Sequence, residues 1–174
     1  MSQETGKGKY AGKEIHVDFI PEQSPDGTAT AKSWKTQPAP EEREAIHLEA
    51  SFSESDFSKI ARGFIPSAME DKWFIYYADG WLNMHRSWTG AHIYGLQFVQ
   101  TGDEFHVVDS WANRDKYCRQ KDIDFDRKTV LFIIDVLLLN KRCPAPVEKS
   151  ADSHTAALRA WSNFGKAAVD EEDS

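Results

Sequence analysis

Residues 73–86, WFIYYADGWLNMHR, are the strongest indication of fold in this chain. Asp79 and Gly80 stand between two runs of aromatic and aliphatic side chains, which is the strongest short-range signal for a hairpin with a two-residue type I′ turn. Such a turn fixes the register of its two strands, so that Ala78 pairs with Trp81. The same register gives further cross-strand pairs, which are Tyr76 with Asn83, Phe74 with His85 and Trp73 with Arg86.

This register divides the hairpin into two faces, because side chains on a strand alternate. The more apolar face, which we expect to lie on the core, carries Trp73, Ile75, Tyr77, Leu82, Met84 and Arg86. The other face is more polar and carries Phe74, Tyr76, Trp81, Asn83 and His85. We expect a functional site to lie on this second face.

A second hairpin extends the predicted sheet to four strands. Gly102 and Asp103 form its turn, and the register then gives two pairs, which are Phe98 with Val107 and Leu96 with Asp109. One face carries Tyr94, Leu96, Phe98, Phe105 and Val107. The other carries Ile93, Val99, His106 and Val108. The two hairpins together form an antiparallel meander.

Two helices flank the meander in this prediction. Residues 55–64 place apolar side chains at helical spacing. Ser53 or Ser55 can be the N-cap of this helix, and Gly63 is a signal for its end. Asp124 can cap a second helix that runs to about Asn140 and is apolar around most of its girth. The predicted fold class is therefore α+β: an antiparallel four-stranded meander packed on one long C-terminal helix, with a short helix before the sheet and flexible termini.

The 174 residues are enough for one domain with its own core. Residues 1–42 comprise a strand-like segment at 13–20 and a Pro-rich linker that we expect to be mobile and outside the core. Residues 43–142 form the single α+β domain, with a first strand predicted at 43–52. Residues 143–174 are a spacer followed by a weak acidic C-terminal helix or tail.

The composition excludes several classes of function. The net charge is −7 and the pI is about 5.4, so the chain lacks the Lys and Arg surface that general nucleic-acid binding requires. The longest apolar run, residues 130–139, contains Asp135 and is far shorter than a membrane span. The N-terminus lacks the apolar core of a signal peptide, and Cys118 and Cys143 are too few for a disulfide framework. We expect a soluble, cytoplasmic protein without a membrane partner or a cofactor.

The segment MHRSWTG, residues 84–90, is the best candidate for a site. The Arg86 guanidinium can bind a phosphate through two hydrogen bonds, and His85 can transfer a proton near neutral pH. Ser87 and Thr89 can add hydrogen bonds to the same ligand, and nearby aromatic rings can stack on its flat part. The predicted ligand-binding residues are Arg86, Ser87, Trp88, Thr89, Trp81 and Tyr76, and the candidate catalytic acid or base is His85.

Structural roles for these residues stay open at this point. Arg86 can pair instead with Glu70 or Asp71, while Ser87 and Thr89 only satisfy the turn. Serine catalysis is not expected, because Ser87 does not lie in a GxSxG motif. A metal site is not expected either, because no tight ligand spacing links the side chains that could form one, which are His85, His92, His106, Asp109 and Cys118.

The pattern MEDKWF, followed by HRSWTG and then by IY, resembles a recurrent pattern of small uncharacterised bacterial proteins. It covers about residues 64–100 of this chain. Proteins with this pattern are associated with labels of the ADP-ribose or NAD-related hydrolase type. The resemblance implies a nucleotide-type ligand and supports residues 84–90 as its site.

Two classes of function follow from these observations. The first is a small soluble domain that binds a phosphate-bearing nucleotide-type ligand of the ADP-ribose or NAD class, with hydrolysis left open. The alternative is an acidic protein-interaction module of the immunity or antitoxin kind. Such a module would cover a basic protein partner, because opposite charges speed encounter and exposed aromatic rings supply contact area.

Overall fold

The computed structural model of the protein describes Pro21 and residues 24–115 and 122–146. The predicted strand at residues 13–20 and the predicted C-terminal helix lie outside the described residues. The elements follow one another in the order β1 (Arg43–Ala45), β2 (Ser51–Ser53), α1 (Glu54–Arg62), β3 (Trp73–Ala78), β4 (Trp81–Arg86), β5 (His92–Thr101), β6 (Glu104–Asn113) and α2 (Ile123–Ile133). A π-helical turn, Ile134–Leu138, follows α2 directly.

All the strands join one six-stranded antiparallel sheet in the order β1-β6-β5-β4-β3, with β2 also paired to β6. The α+β class is therefore confirmed, but the prediction of four strands is wrong. The segment 43–52 forms two three-residue strands, and His47 between them has a φ of 51°. The amides of Ile46 and Leu48 there bond to the carbonyl and the hydroxyl of Ser110 instead of continuing a regular ladder.

The central hairpin has the predicted register. Ala78 pairs with Trp81, and the other predicted pairs of β3 and β4 are all present. Asp79 and Gly80 have φ values of 55° and 86°, the left-handed conformation that a type I′ turn requires at both central positions. Asp tolerates this conformation and Gly adopts it without a steric penalty, so the local sequence is enough to set the register.

The second hairpin follows the prediction only close to its turn. Phe98 pairs with Val107 as predicted. Leu96, however, pairs with Ser110 and not with Asp109. The predicted pair is wrong by one residue because β6 has an extra residue between these two positions, and strict alternation does not allow for it.

Two β-bulges shift the faces of the sheet. Val108 has no partner on β5, and Ile93 is skipped in the same way between β4 and β5. A bulge moves the side chains beyond it to the opposite face. His92 therefore lies on the same face as His85, its partner on β4. Trp111, beyond the bulge in β6, moves to that face for the same reason.

The first helix, α1, covers Glu54–Arg62 and so begins one residue before and ends two residues before the predicted range 55–64. Ser53 is the N-cap, and its hydroxyl accepts a hydrogen bond from the amide of Asp56 at 3.1 Å. This decides between the two serines that the sequence allowed. Gly63 ends the helix with a φ of 72°, and a Cβ at this position would collide with the carbonyl oxygen of Ile75.

The second helix is shorter than predicted. Its N-cap is Asp122, whose carboxylate accepts from the amides of Asp124 and the next residue, so the predicted cap at Asp124 is wrong. The α-helix ends at Ile133, and the chain continues in the π-helical turn. One long helix to Asn140 is therefore not formed. The wider turn still buries two of its apolar side chains, those of Ile134 and Leu138.

The hydrophobic core lies between the helices and one face of the sheet, which we call the helix face. The buried side chains that the sheet contributes to this core are Trp73, Ile75, Leu82, Met84, Tyr94, Leu96, Phe98, Val107 and Ala112. The predicted core face of the central hairpin is thus confirmed. We call the opposite side of the sheet the outer face. Among the described residues, no helix is long and apolar enough to cross a membrane.

Residues 24–42 contain no helix or strand, as expected of a linker, but they pack on the domain. Two of their side chains are buried, those of Ala29 and Ser33. The indole N–H of Trp34 donates to the carbonyl of Ser87 at 2.8 Å. The amide of Gln37 donates to the carbonyl of Gly90 at 2.8 Å. The expectation that this whole segment lies outside the core is therefore corrected.

Candidate functional site

His85 and Arg86 point to opposite faces of the sheet, because they are adjacent on one strand. His85 lies on the outer face. The guanidinium carbon of Arg86 lies on the helix face, 5.0 Å from the centre of the Trp73 ring. Burial lowers the pKa of Arg86, and the neighbouring Tyr94 opposes this shift. The structure therefore does not bring the predicted phosphate-binding Arg86 and the predicted catalytic His85 to one site.

The hydroxyl groups of the turn after β4 serve the backbone. The Ser87 hydroxyl donates to the carbonyl of Asp71 at 2.7 Å, and the Ser87 amide donates to the carbonyl of Lys72 at 2.9 Å. The Thr89 hydroxyl accepts from the amide of Ala91 at 3.2 Å. These are the structural roles that the sequence left open for both residues.

Trp88 lies on the surface and does not line a cavity. Its side chain is 54% exposed, and its indole N–H donates to the carbonyl of Met69 at 3.2 Å. The ammonium of Lys72 lies 4.2 Å from the centre of the indole. Because more than half of this side chain is exposed, the structure gives it no role in a recessed site.

The outer face instead carries an open cleft of about 470 Å³, which crosses β4, β5, β6 and β1. Ala39, from the segment before β1, lies at its side. The polar and aromatic residues that line it are Arg43, Trp81, Asn83, His92, Asp109, Ser110 and Trp111. A cleft of this volume is within the range of small-molecule sites.

Gly95 makes room for the aromatic part of the cleft. Asn83, Gly95 and Trp111 are neighbours in one row across β4, β5 and β6. A Cβ at Gly95 would lie 2.5 Å from atoms of the Trp111 indole. The indole therefore lies directly against the backbone of β5, which only a glycine at this position permits.

Arg43 and Asp109 are the charged side chains of the cleft. The guanidinium carbon of Arg43 lies 5.2 Å from the centre of the Trp111 ring, close enough for a cation–π interaction. A cation is thus held beside a flat aromatic surface. The side-chain amide of Asn83 donates to the carbonyl of Trp81 at 3.1 Å, so its orientation is fixed.

His85 and His92 form a stacked pair of imidazoles next to the cleft. Their ring centres are 4.1 Å apart and their planes differ by 19°. Both side chains are buried, being 1% and 8% exposed. Burial lowers the pKa of both, and the neighbouring His85 and Arg43 further lower the pKa of His92, to about 3. Both rings are therefore neutral near pH 7.

Tyr76, His85 and Trp81 are the predicted site residues that the structure brings to the outer face. The Tyr76 ring stacks on His85 with its centre 5.7 Å away. Burial and the nearby Asp79 raise the pKa of Tyr76. Trp81 lines the cleft itself. The other six predicted site residues do not line it, and they are Tyr76, His85, Arg86, Ser87, Trp88 and Thr89.

The predicted ligand-binding set did not include Arg43, His92 or Trp111. The bulges place the latter two on the outer face, and a hydrophobicity pattern does not reveal a bulge. Arg43 reaches the cleft through the pairing of β1 with β6, which joins distant parts of the chain. One signal was available, because Gly95 inside an apolar strand indicates that a bulky group approaches the backbone closely.

Within the described part of the chain, no group of three or more His, Cys, Asp or Glu side chains could hold a metal ion. Comparison with protein-family models, curated proteins and solved structures finds no match to this chain. The geometry of the cleft is therefore the basis on which a function can be argued.

Proposed function

We propose that the outer-face cleft binds a planar small molecule that carries an anionic group, of the phosphate-bearing nucleotide kind. The observation that carries this proposal is the Trp111 indole, laid against Gly95 with the Arg43 guanidinium 5.2 Å from its centre. An indole stacks on a flat ring, and a guanidinium binds phosphate through paired hydrogen bonds. Each of the two groups recognises one half of a nucleotide.

Other side chains of the cleft support the same ligand. Trp81 adds a second indole, and the oriented amide of Asn83 offers hydrogen bonds of the kind that read the edge of a base. In this proposal Arg43 has the role that the sequence suggested for Arg86. Trp111 joins Trp81 as a stacking residue. The resemblance of residues 64–100 to proteins with ADP-ribose and NAD-related labels makes those nucleotides the first to test.

The proposed function is binding, and we assign no hydrolysis. His85, the predicted acid or base, donates its Nδ1 hydrogen to the carbonyl of Gly90 at 2.9 Å and is 1% exposed. Burial lowers its pKa, whereas an efficient acid or base has a pKa near the working pH. His85 is therefore better suited to support the cleft than to transfer protons in it.

Titration of the full chain with nucleotides tests this proposal. We expect ADP-ribose, NAD or AMP to change the tryptophan fluorescence, because Trp81 and Trp111 both line the cleft. Replacing Arg43 by Ala should weaken binding by roughly 10- to 100-fold, the usual effect of losing hydrogen bonds to a charged group. Gly95→Ala should also weaken it, because the new methyl group displaces the indole.

Two variants serve as matched controls. Arg142→Ala removes an exposed arginine beyond α2, and Trp88→Ala removes an exposed indole outside the cleft. Both should bind the nucleotides as the wild type does, and thermal unfolding should show that every variant is folded. The proposal fails if no nucleotide changes the fluorescence, or if the controls lose as much affinity as Arg43→Ala.

A protein-interaction function is the second candidate, and a different surface favours it. Met69 is 73% exposed and Trp88 is 54% exposed, and a hydrogen bond joins them. Exposed aromatic and methionine side chains are typical of contact surfaces. With a net charge of −7, the chain would attract a basic partner. A pull-down at low and moderate salt should then recover a basic protein with the wild type and lose it with Trp88→Ala, and recovery of no such protein would count against this function.

A further inference from the structure

An acidic side chain, that of Asp109, lines the cleft because of the bulge in β6. Val107 pairs with Phe98 and contributes to the core, whereas Asp109 pairs with Gln97. Uninterrupted alternation would give Asp109 the same face as Val107. The extra residue between them, Val108, moves Asp109 to the outer face, where it lines the cleft. Bulges next to functional sites redirect side chains in this way.

The Asp109 carboxylate is open to a ligand. Within the part of the chain that the structure describes, no hydrogen bond or ion pair uses this carboxylate. The Glu44 carboxylate on β1, by contrast, accepts from Arg114 at 2.8 Å. Asp109 is also exposed, so a molecule in the cleft can reach it without displacing another side chain. An ionised carboxylate only accepts hydrogen bonds, so the ligand group that fits it is a donor.

Arg43, Trp111 and Asp109 follow one another along the outer face in this order. Arg43 pairs with Asn113, two residues beyond Trp111, and Asp109 lies two residues before Trp111 on the same strand. Two residues of a strand span about 7 Å, so the two charged residues lie on opposite sides of Trp111. A ligand that stacks on this indole can therefore meet a cation at one end and a carboxylate at the other.

A purine nucleotide has its own groups in a matching order. Its ribose joins the phosphate to the base, and the Watson–Crick edge of the base is the edge remote from the ribose. When the base stacks on Trp111 and the phosphate meets Arg43, the ribose lies on the Arg43 side of the indole. The Watson–Crick edge then faces Asp109. Hydrogen bonds to this edge are a common means by which proteins read a base that is not paired.

We propose that the Asp109 carboxylate accepts two hydrogen bonds from the Watson–Crick edge of guanine, and that the cleft thereby selects guanine nucleotides. This inference rests on the proposed function and narrows its ligand class. Guanine presents N1–H and its 2-amino group side by side, as a guanidinium presents its paired donors to a carboxylate. Adenine has an acceptor at N1, which would face a carboxylate oxygen. Asp109 is thus a specificity-determining residue that touches the base.

Two nucleotides that differ only in the 2-amino group test this inference. Guanosine 5′-monophosphate carries the group, and inosine 5′-monophosphate lacks it. Calorimetric titration of the full wild-type chain should show that the guanosine compound binds about tenfold more tightly, the usual effect of one hydrogen bond to a charged group. In Asp109→Ala, which has no acceptor, the two compounds should bind equally.

An exchange of specificity separates this role from a purely structural one. Asn has the shape of Asp but carries an amino donor in place of one acceptor oxygen. Xanthosine 5′-monophosphate carries a carbonyl acceptor where guanosine 5′-monophosphate carries its amino group. Asp109→Asn should therefore bind the xanthosine compound more tightly than the guanosine compound, which reverses the wild-type order. A variant that had only lost its fold could not show this reversal.

A matched control and a ribose analogue complete the experiment. Asp103→Asn makes the same change in the turn between β5 and β6, at an exposed position outside the cleft. This variant should keep the wild-type preference for the guanosine compound. The 2′-deoxy form of guanosine 5′-monophosphate should bind the wild type as the ribose form does, because the ribose does not meet Asp109.

The outcomes distinguish this inference from the proposed function. If the guanosine and inosine compounds bind the wild type equally, or if Asp109→Asn keeps the wild-type order, the inference is overturned while nucleotide binding stands. If the deoxy compound binds the wild type more weakly and Asp109→Ala removes that difference, Asp109 binds the ribose and the inference is again overturned alone. If no nucleotide binds, the proposed function and the inference are overturned together.

Discussion

At the scale of single residues, His92 shows how burial links a side chain to the pH dependence of stability. An unfolded histidine titrates near pH 6.5, whereas burial lowers the pKa of His92 in the folded chain to about 3. Above pH 6.5 the ring is neutral in both states and adds no pH dependence. As the pH falls below 6.5, only the unfolded state binds a proton, so the free energy of unfolding decreases until about pH 3.

We therefore predict that His92 lowers the free energy of unfolding by up to about 1.4 kcal/mol for each pH unit within this window. Urea unfolding of the wild type and His92→Gln at pH 7, 6 and 5 measures it. The free energy of unfolding of the variant should decrease less with falling pH than that of the wild type, because Gln does not titrate. His47→Asn removes an exposed imidazole and should follow the wild type. Parallel curves for wild type and His92→Gln would contradict the prediction.

At the scale of secondary-structure elements, a buried ion pair connects α2 to the sheet. Arg114, just after β6, donates to the carboxylate of Asp126 on α2 at 2.6 Å and to that of Glu44 on β1 at 2.8 Å. The Tyr94 hydroxyl also donates to Asp126 at 3.0 Å. Asp126 is 1% exposed, so its charge depends on these partners. The Asp126–Arg114 pair thus connects α2 to β5 through Tyr94 and to β1 through Glu44.

Replacing Arg114 by Ala should lower the free energy of unfolding by about 3–5 kcal/mol, because it leaves the buried charge of Asp126 without its cation. Urea unfolding measures the change. Lys128→Ala is the matched control, since Lys128 pairs with Asp124 on the same helix but both side chains are exposed. That variant should lose about 0.5 kcal/mol or less. Similar losses in the two variants would refute the role of the buried pair.

At the scale of the whole molecule, residues 24–42 connect the start of the described chain to the cleft. Trp34 and Gln37 bond to the turn after β4, and Ala39 lines the cleft. The carbonyl of Gly90 accepts from both Gln37 and His85. The segment, the turn and the buried imidazole pair therefore share one hydrogen-bonded connection.

We predict that Trp34→Ala loosens this segment. Trypsin should then cleave after Lys32 or Lys35 about tenfold faster or more, because the loss of one hydrogen bond and of the indole contacts favours local opening. The cleavage rate, followed by mass spectrometry, measures the effect. Trp88→Ala removes an exposed indole and should leave the rate unchanged. Cleavage at the wild-type rate in Trp34→Ala would show that the indole does not hold the segment.

The features that depend on neighbouring residues in the chain could be predicted from the sequence. The type I′ turn at Asp79 and Gly80 and the register of β3 and β4 were predicted correctly, and the start of α1 was narrowed to Ser53 or Ser55. Turn and cap preferences act within a few residues, so a short window contains the information that fixes them. The core face of the central hairpin followed from the same register.

The position of the cleft and most of the side chains that line it could not be predicted, because they depend on the tertiary structure. An assignment of faces from sequence assumes that side chains alternate without interruption along each strand. Beyond the bulges at Ile93 and Val108, each side chain points to the face opposite to the one that this alternation predicts. Arg43 meets Trp111 because β1 pairs with β6, a contact between segments far apart in the chain. Long-range pairing and the positions of bulges depend on how the whole sheet packs, which is why alternation along single strands could not reveal them.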